Sequence, residues 1–166
     1  MSYTYTNSNV TNSPKNYAQK SYGSSFRAFT PKSPVKSFRD LETYQKALFL
    51  GVAVCKEVQK NLEKGGASPL KASVADKLCQ TALEMSQNIA TAHSIRFSDS
   101  GGGIKILEKA MLSCNLVCVY LEQFQGFLVP GEIEPAFFEE KIKEALVIRG
   151  KAMRLQASWK KFSKEQ

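Results

Sequence analysis

Hydrophobic residues recur through residues 37–166 at the three- and four-residue spacing of amphipathic helices, and no segment combines strand-like alternation with hairpin turn residues. Prolines and glycines divide this region into four helices. The predicted helices run from Phe38 to about Lys64, from Ser68-Pro69 to about Phe97, from beyond Gly103 to Gln125-Gly126, and from Glu134-Pro135 onward. Because short connections force neighbouring helices to be antiparallel, the pattern predicts an all-α, up-down-up-down four-helix bundle.

Local signals accompany three of the predicted boundaries. Ser37 can cap the first helix, with Asp40 near its positive end, and Ser68 can cap the second. Residues 98–103 read Ser-Asp-Ser-Gly-Gly-Gly and precede the third helix, but they lack the Lys-Ser/Thr pair of a Walker loop. We interpret this stretch as a flexible connector between two helices.

The first helix contains an uninterrupted apolar and small-residue run, Ala47–Cys55. Such a run covers the whole circumference of a helix, since it makes about two and a half turns. The flanking residues follow a seven-residue pattern that predicts the buried tracks Leu41, Leu48, Cys55, Leu62 and Tyr44, Gly51, Val58. The helix therefore has a second apolar face beyond the one that a bundle core requires.

The third and fourth helices also carry surplus apolar residues. Residues 110–121 are nearly apolar all round, and Leu146, Val147 and Ile148 widen the apolar face of the last helix. A monomer rarely leaves such patches exposed, so we predict a homo-oligomer. Its candidate interface residues are Phe49, Val52, Leu116, Val117 and Val147. The alternatives are that the N-terminal tail or a partner protein covers these faces.

The first 36 residues differ in composition from the rest of the chain. Ser, Thr and Asn occupy 15 of these 36 positions, three prolines interrupt any helix, and no acidic residue occurs. We expect residues 1–36 to be a disordered basic tail, because they have too little apolar area to offset the entropy of ordering. Aromatic residues alternate there with Lys15, Lys20 and Arg27, so the tail could contact a nucleic acid, although it could equally be a spacer.

The formal net charge of +8 favours an anionic partner, most plausibly nucleic acid. The end of the last helix concentrates this charge without any acid between residues 149 and 164. The inward positions that we assign to Trp159 and its apolar neighbours direct Arg149, Arg154 and Lys161 outward. The predicted basic ridge consists of Arg149, Lys151, Arg154, Lys160, Lys161 and Lys164. A solvated helix end is the simpler alternative, since cations are favoured near the C-terminal dipole.

Residue types that carry catalysis or metal binding are scarce. His93 is the only histidine, and Cys79, Cys114 and Cys118 fall on apolar tracks, where a free thiol behaves as a small hydrophobe. We therefore expect no enzyme activity, no cofactor and no metal. The absence of a signal-peptide pattern and of a run of about 20 apolar residues favours a cytoplasmic protein without a membrane span.

Three short segments resemble a known family. Phe38–Ala47 resembles an F-x-D-L-x-x-[WY]-x-x-A pattern, Met85–Ala90 an S-x-x-N-I-A core, and Ile104–Ser113 an F-x-x-L-x-x-A-x-x-S pattern. These patterns are typical of the four-helix bundle proteins encoded in 23S rRNA intervening sequences. The same superfamily includes the accessory variability proteins of diversity-generating retroelements. Thr91–Phe97 departs from the first branch, because it lacks the Glu-Gly pair and basic-aromatic stretch that follow its core.

The basic last helix and tail are closer to the retroelement accessory branch. That resemblance implies a non-catalytic homopentamer that binds a reverse transcriptase and template RNA or an RNA/DNA hybrid. The residues by themselves indicate only more than one subunit. Two other functions are compatible with the sequence: a protein-only scaffold, and a ribosome-associated intervening-sequence protein without direct nucleic-acid binding.

Overall fold

The computed structural model describes residues 35–65 and 68–162, excluding the side chain of Phe162. This part of the chain contains a short 3-10 turn, Phe38–Asp40, and four α-helices. The helices are α1 (Glu42–Gly65), α2 (Pro69–Ile95), α3 (Ser100–Gln125) and α4 (Pro135–Phe162). The predicted all-α four-helix fold is confirmed. The predictions for the N-terminal tail fall almost entirely outside the described residues.

Each helix packs against its neighbours in sequence, and α4 also packs against α1, which closes the bundle. The alternating direction is evident from the polar contacts, because residues near the start of α1 and α3 meet residues late in α4. Lys151 Nζ lies 2.8 Å from a Glu42 carboxylate oxygen, and the Gln156 amide nitrogen donates to Glu108 at 2.7 Å. The α2–α3 contact is the most extensive, and the α1–α4 contact is the least extensive of the four neighbouring pairs.

The start of the bundle differs from the sequence prediction. Ser37 and Asp40 form a reciprocal capping box, as their positions predicted, but they cap the 3-10 turn and not a continuous helix. Leu41 then adopts an extended conformation and its side chain is buried, so α1 begins only at Glu42. The buried Leu41 anchors this corner of the chain to the core.

The expected flexible connector at residues 98–103 is wrong, because α3 already begins at Ser100. The Asp99 side chain caps this helix by accepting the Gly102 N–H at 2.8 Å. Gly103 lies against the end of α2, where an added Cβ would be 3.1 Å from the Arg96 Cα. These glycines therefore allow a tight turn between α2 and α3.

The core contains residues from all four helices, with long aliphatic side chains joined by Phe124 and Phe138. On α1 the buried stripe is Ala47, Leu50, Gly51, Val54, Val58 and Asn61. The predicted seven-residue track is therefore wrong in part: Leu48 is exposed, and Cys55 and Leu62 are only half-buried. The burial follows the 3.6-residue period of a straight helix, which shifts the inward face away from Leu48.

No helix within the described residues is long and apolar enough to span a membrane.

Candidate nucleic-acid interface and exposed apolar faces

The alternating helix directions place the start of α1, the end of α2, the start of α3 and the end of α4 at one end of the bundle. We call this region the basic end, because its cations outnumber its carboxylates. Its cations are Lys36, Arg39, Arg96, Lys105, Lys151, Arg154, Lys160 and Lys161. Its carboxylates are Asp40, Glu42, Asp99 and Glu108. The surplus of positive charge makes this end attractive to polyanions.

A cation–aromatic cluster lies at the centre of the basic end. The Arg96 guanidinium carbon is 4.4 Å from the Phe97 ring centroid and 5.4 Å from that of Trp159. Arg96 is half-buried, and burial lowers the pKa of its guanidinium below its ordinary value. Phe97 is 84 % exposed and Trp159 is half-buried. The cluster therefore combines a positioned cation with an accessible aromatic ring.

His93 supports this cluster from within α2. Its imidazole is buried, and its ring centroid lies 6.4 Å from that of Trp159. Its pKa is lowered, first by burial and second by the nearby Arg96 charge, so the neutral form is favoured. The single histidine thus packs against the tryptophan beneath the basic surface.

The predicted ridge residues on α4 differ in their surroundings. Arg154 and Lys161 are exposed, as the sequence predicted. Lys160 lies 3.7 Å from a Glu108 carboxylate oxygen, and Lys151 is paired with Glu42. Both pairs neutralise part of the ridge charge.

Arg149 is a correction to the predicted ridge. Its side chain is half-buried, and its Nε is a buried nitrogen without a hydrogen-bond partner in the described structure. The helical rotation that buries Ala145, Ile148 and Ala152 places Arg149 at the edge of the core, where its side chain turns partly inward. Four of the predicted nucleic-acid-binding residues lie outside the described residues: Lys164 on the ridge, and Lys15, Lys20 and Arg27 in the tail.

The sequence analysis did not identify Arg96 or Phe97 as site residues. Their signal was local: an adjacent cation and aromatic residue at the predicted end of a helix. The contact with Trp159 joins α2 to α4, so no spacing along the chain could have shown it.

The exposed apolar residues of α1 form its second face. Leu48, Phe49 and Val52 are exposed, and Phe49 is the most accessible of them at 72 %. Phe49 also lines an open groove of about 400 Å³ between α1 and α4, together with Val147 and Ile148. Four charged residues, Lys46, Glu140, Lys143 and Glu144, line the same groove. The groove lies at the least extensive of the neighbouring helix contacts.

A second apolar strip follows the outer side of α3. Leu112 and Val119 are exposed and Leu116 is half-buried, at the spacing of successive helical turns. Val117 is a correction to the predicted interface, because its side chain has 0 % exposure and belongs to the core. Val117 points about 100° away from Leu116 around the helix, so the rotation that brings Leu116 towards the surface turns Val117 into the core.

The cysteines lie in two neighbouring pairs: the Cys55 thiol donates to the Cys79 carbonyl oxygen at 3.6 Å, and the Cys118 thiol donates to the Cys114 carbonyl oxygen at 3.3 Å. Cys114 is buried and burial raises the pKa of its thiol to about 12, whereas Cys55, Cys79 and Cys118 are half-buried. Within residues 35–65 and 68–162, no group of three or more His, Cys, Asp or Glu side chains could hold a metal ion.

No protein-family model matches the chain, and neither a curated protein nor a solved structure matches it. The resemblance of Phe38–Ala47, Met85–Ala90 and Ile104–Ser113 to the intervening-sequence superfamily therefore stays a prediction.

Proposed function

We propose that the protein is a cytoplasmic, non-catalytic nucleic-acid-binding subunit that self-associates and serves a reverse transcriptase of a diversity-generating retroelement. Its ligand in this proposal is template RNA or an RNA/DNA hybrid. The retroelement part of the proposal is supported by the three family-like segments. The binding part is supported by the structure of the basic end.

One observation carries the nucleic-acid part. The basic end brings exposed Arg154 and Lys161 to the same end of the bundle as the Arg96–Phe97–Trp159 cluster. Cations attract phosphates without reading sequence, while aromatic rings can stack on bases. A solvated helix end would need no aromatic cluster beside its lysines.

Self-association is supported by the uncovered apolar faces. Phe49, Val52 and Val147 are exposed near a groove whose rim carries both lysines and glutamates. Such mixed charge can pair with a second copy of the same surface, as an isologous contact requires. The number five comes from the family resemblance alone.

The test measures affinity for an RNA and for an RNA/DNA hybrid at two salt concentrations. Binding should weaken steeply with salt, and the double variant Arg154→Gln/Lys161→Gln should reduce both the affinity and the salt slope by about two phosphate contacts. The matched control is Lys56→Gln/Lys77→Gln, which removes the same charge from exposed positions on α1 and α2. Weak binding without a salt slope, or equal losses in both double variants, would contradict the proposal.

The exposed apolar faces also favour a second function, a protein-only scaffold. Co-purification of a protein partner without nucleic acid would support that alternative. Co-purification of a reverse transcriptase that is released by nuclease treatment would instead indicate a complex bridged by nucleic acid.

A further inference from the structure

The Arg96–Phe97–Trp159 cluster combines an exposed ring with a cation at the basic end, and its assignment as a binding site rests on the proposed nucleic-acid function. We propose that Phe97, backed by Arg96 and Trp159, is a stacking site for an unpaired nucleobase, so that the basic end prefers single-stranded nucleic acid to a duplex.

Exposure alone would not support this assignment, because isolated exposed apolar residues are common on protein surfaces. The difference here is that Phe97 is oriented. The Arg96 guanidinium lies 4.4 Å from the Phe97 centroid and also approaches Trp159 on another helix, which ties the exposed ring to the core of the bundle. A ring that is already held loses little conformational entropy when a base stacks on it.

The polar surroundings favour a nucleobase over an apolar peptide. Phe97 is flanked along the chain by the exposed polar residues Ser94, Ser98, Asp99 and Ser100, and not by further exposed apolar side chains. A nucleobase needs only one π-face, and its flanking phosphates need cations. Lys160 and Lys161 directly follow Trp159 and supply those cations.

Duplexes fit this site poorly, because a paired base presents its faces to its stacked neighbours. Unpairing and unstacking a base in a duplex has a free-energy cost that an unpaired single strand avoids. The other exposed cations still attract duplex phosphates, so a duplex is expected to bind more weakly and with a similar dependence on salt.

The experiment uses the full chain and the intrinsic fluorescence of Trp159, which is the only tryptophan. Three ligands of equal phosphate number are compared: an oligouridylate, the same backbone with abasic sites, and an RNA duplex. The oligouridylate should quench Trp159 and bind about 5- to 150-fold more tightly than the abasic strand, the factor that corresponds to stacking one base on an aromatic side chain.

Variants identify the ring responsible. Phe97→Ala should reduce oligouridylate affinity towards that of the abasic strand, and Phe97→Tyr should restore it because the ring is retained. Phe127→Ala is the matched control, since Phe127 is an exposed phenylalanine after α3, at the opposite end of the bundle. Circular dichroism of each variant checks that the helices persist.

Equal affinity for the oligouridylate and the abasic strand, or wild-type binding by Phe97→Ala, would overturn the stacking site. Salt-dependent binding that is lost in Arg154→Gln/Lys161→Gln would in that case still uphold the proposed function. Failure of all three ligands to bind at low salt would overturn both.

Discussion

Gly51 lies where the backbones of α1 and α2 approach closely, and its replacement by alanine is a direct test of the packing. A Cβ at Gly51 would lie 2.7 Å from the Ala82 carbonyl oxygen and 3.1 Å from its carbonyl carbon. Both atoms belong to the backbone of α2, so no side-chain rotation can relieve the contact. The helices must separate locally, and overpacking of this kind costs about 1–3 kcal/mol.

Alanine also favours a helix over glycine by up to about 1 kcal/mol, which opposes the steric cost. Gly150 in α4 provides the matched control, since an added Cβ there meets nothing within 4 Å. Gly150→Ala should therefore stabilise the protein by about 0.5–1 kcal/mol. The difference between the two variants cancels the helix preference and isolates the steric contact.

The assay is urea unfolding followed by far-UV circular dichroism, at one protein concentration so that any association affects both variants alike. We expect the free energy of unfolding of Gly51→Ala to be about 1–3 kcal/mol lower than that of Gly150→Ala. Equal stabilities, within about 0.5 kcal/mol, would refute the close α1–α2 approach on which the core geometry depends.

The remaining predictions concern ionisation, the apolar faces and one ion pair. Burial raises the pKa of the Cys114 thiol from 9.0 to about 12, so the thiol of the unfolded chain loses its proton first and the free energy of unfolding should fall above pH 9. Urea unfolding between about pH 9 and 11 should show this fall, and Cys114→Ala should reduce it by about 2–3 kcal/mol. Phe49→Glu should shift the protein towards monomer in sedimentation velocity while the helices persist. Val117→Glu should instead unfold the protein, because it places a charge in the core. A wild-type sedimentation coefficient for Phe49→Glu would exclude the α1 face as the interface. Lys71 is buried, with 7 % of its side chain exposed, and its ammonium lies 3.2 Å from a Glu132 carboxylate oxygen. Glu132→Ala should therefore lower the free energy of unfolding more than Lys71→Met in the same assay, because it leaves a buried ammonium without its counter-charge. The reverse order would contradict this role of the ion pair.

The local sequence predicted the helix boundaries because each boundary signal acts on nearby backbone. Ser68 followed by proline marks the start of α2, and Pro135 marks the start of α4, as the sequence indicated. This local reasoning failed at the start of α1, where a 3-10 turn and the extended Leu41 precede the helix, and at residues 98–103, because glycines usually interrupt helices. There the Asp99 cap and the close approach of α2 outweigh the low helix propensity of glycine.

The tertiary structure decided which apolar residues face the core. Leu48 and Val117 were assigned to the wrong sides, since several helical segments are apolar around most of their circumference and their rotation depends on neighbouring helices. The tertiary structure also decided which charged residues reach the surface. The sequence pattern predicted Arg149 and Arg154 on one basic ridge, but the packing leaves Arg154 exposed and Arg149 half-buried.

By itself the sequence determined that the chain forms an all-α bundle with four helices, because periodicity, caps and prolines act over a few residues. The meeting of Arg96 with Trp159 was decided only by the fold, because it depends on the end of α2 and the end of α4 being brought together. The uncovered groove beside Phe49 likewise results from how closely α1 and α4 pack. Contacts between distant segments depend on the complete packing of the core, and a local pattern does not contain that information.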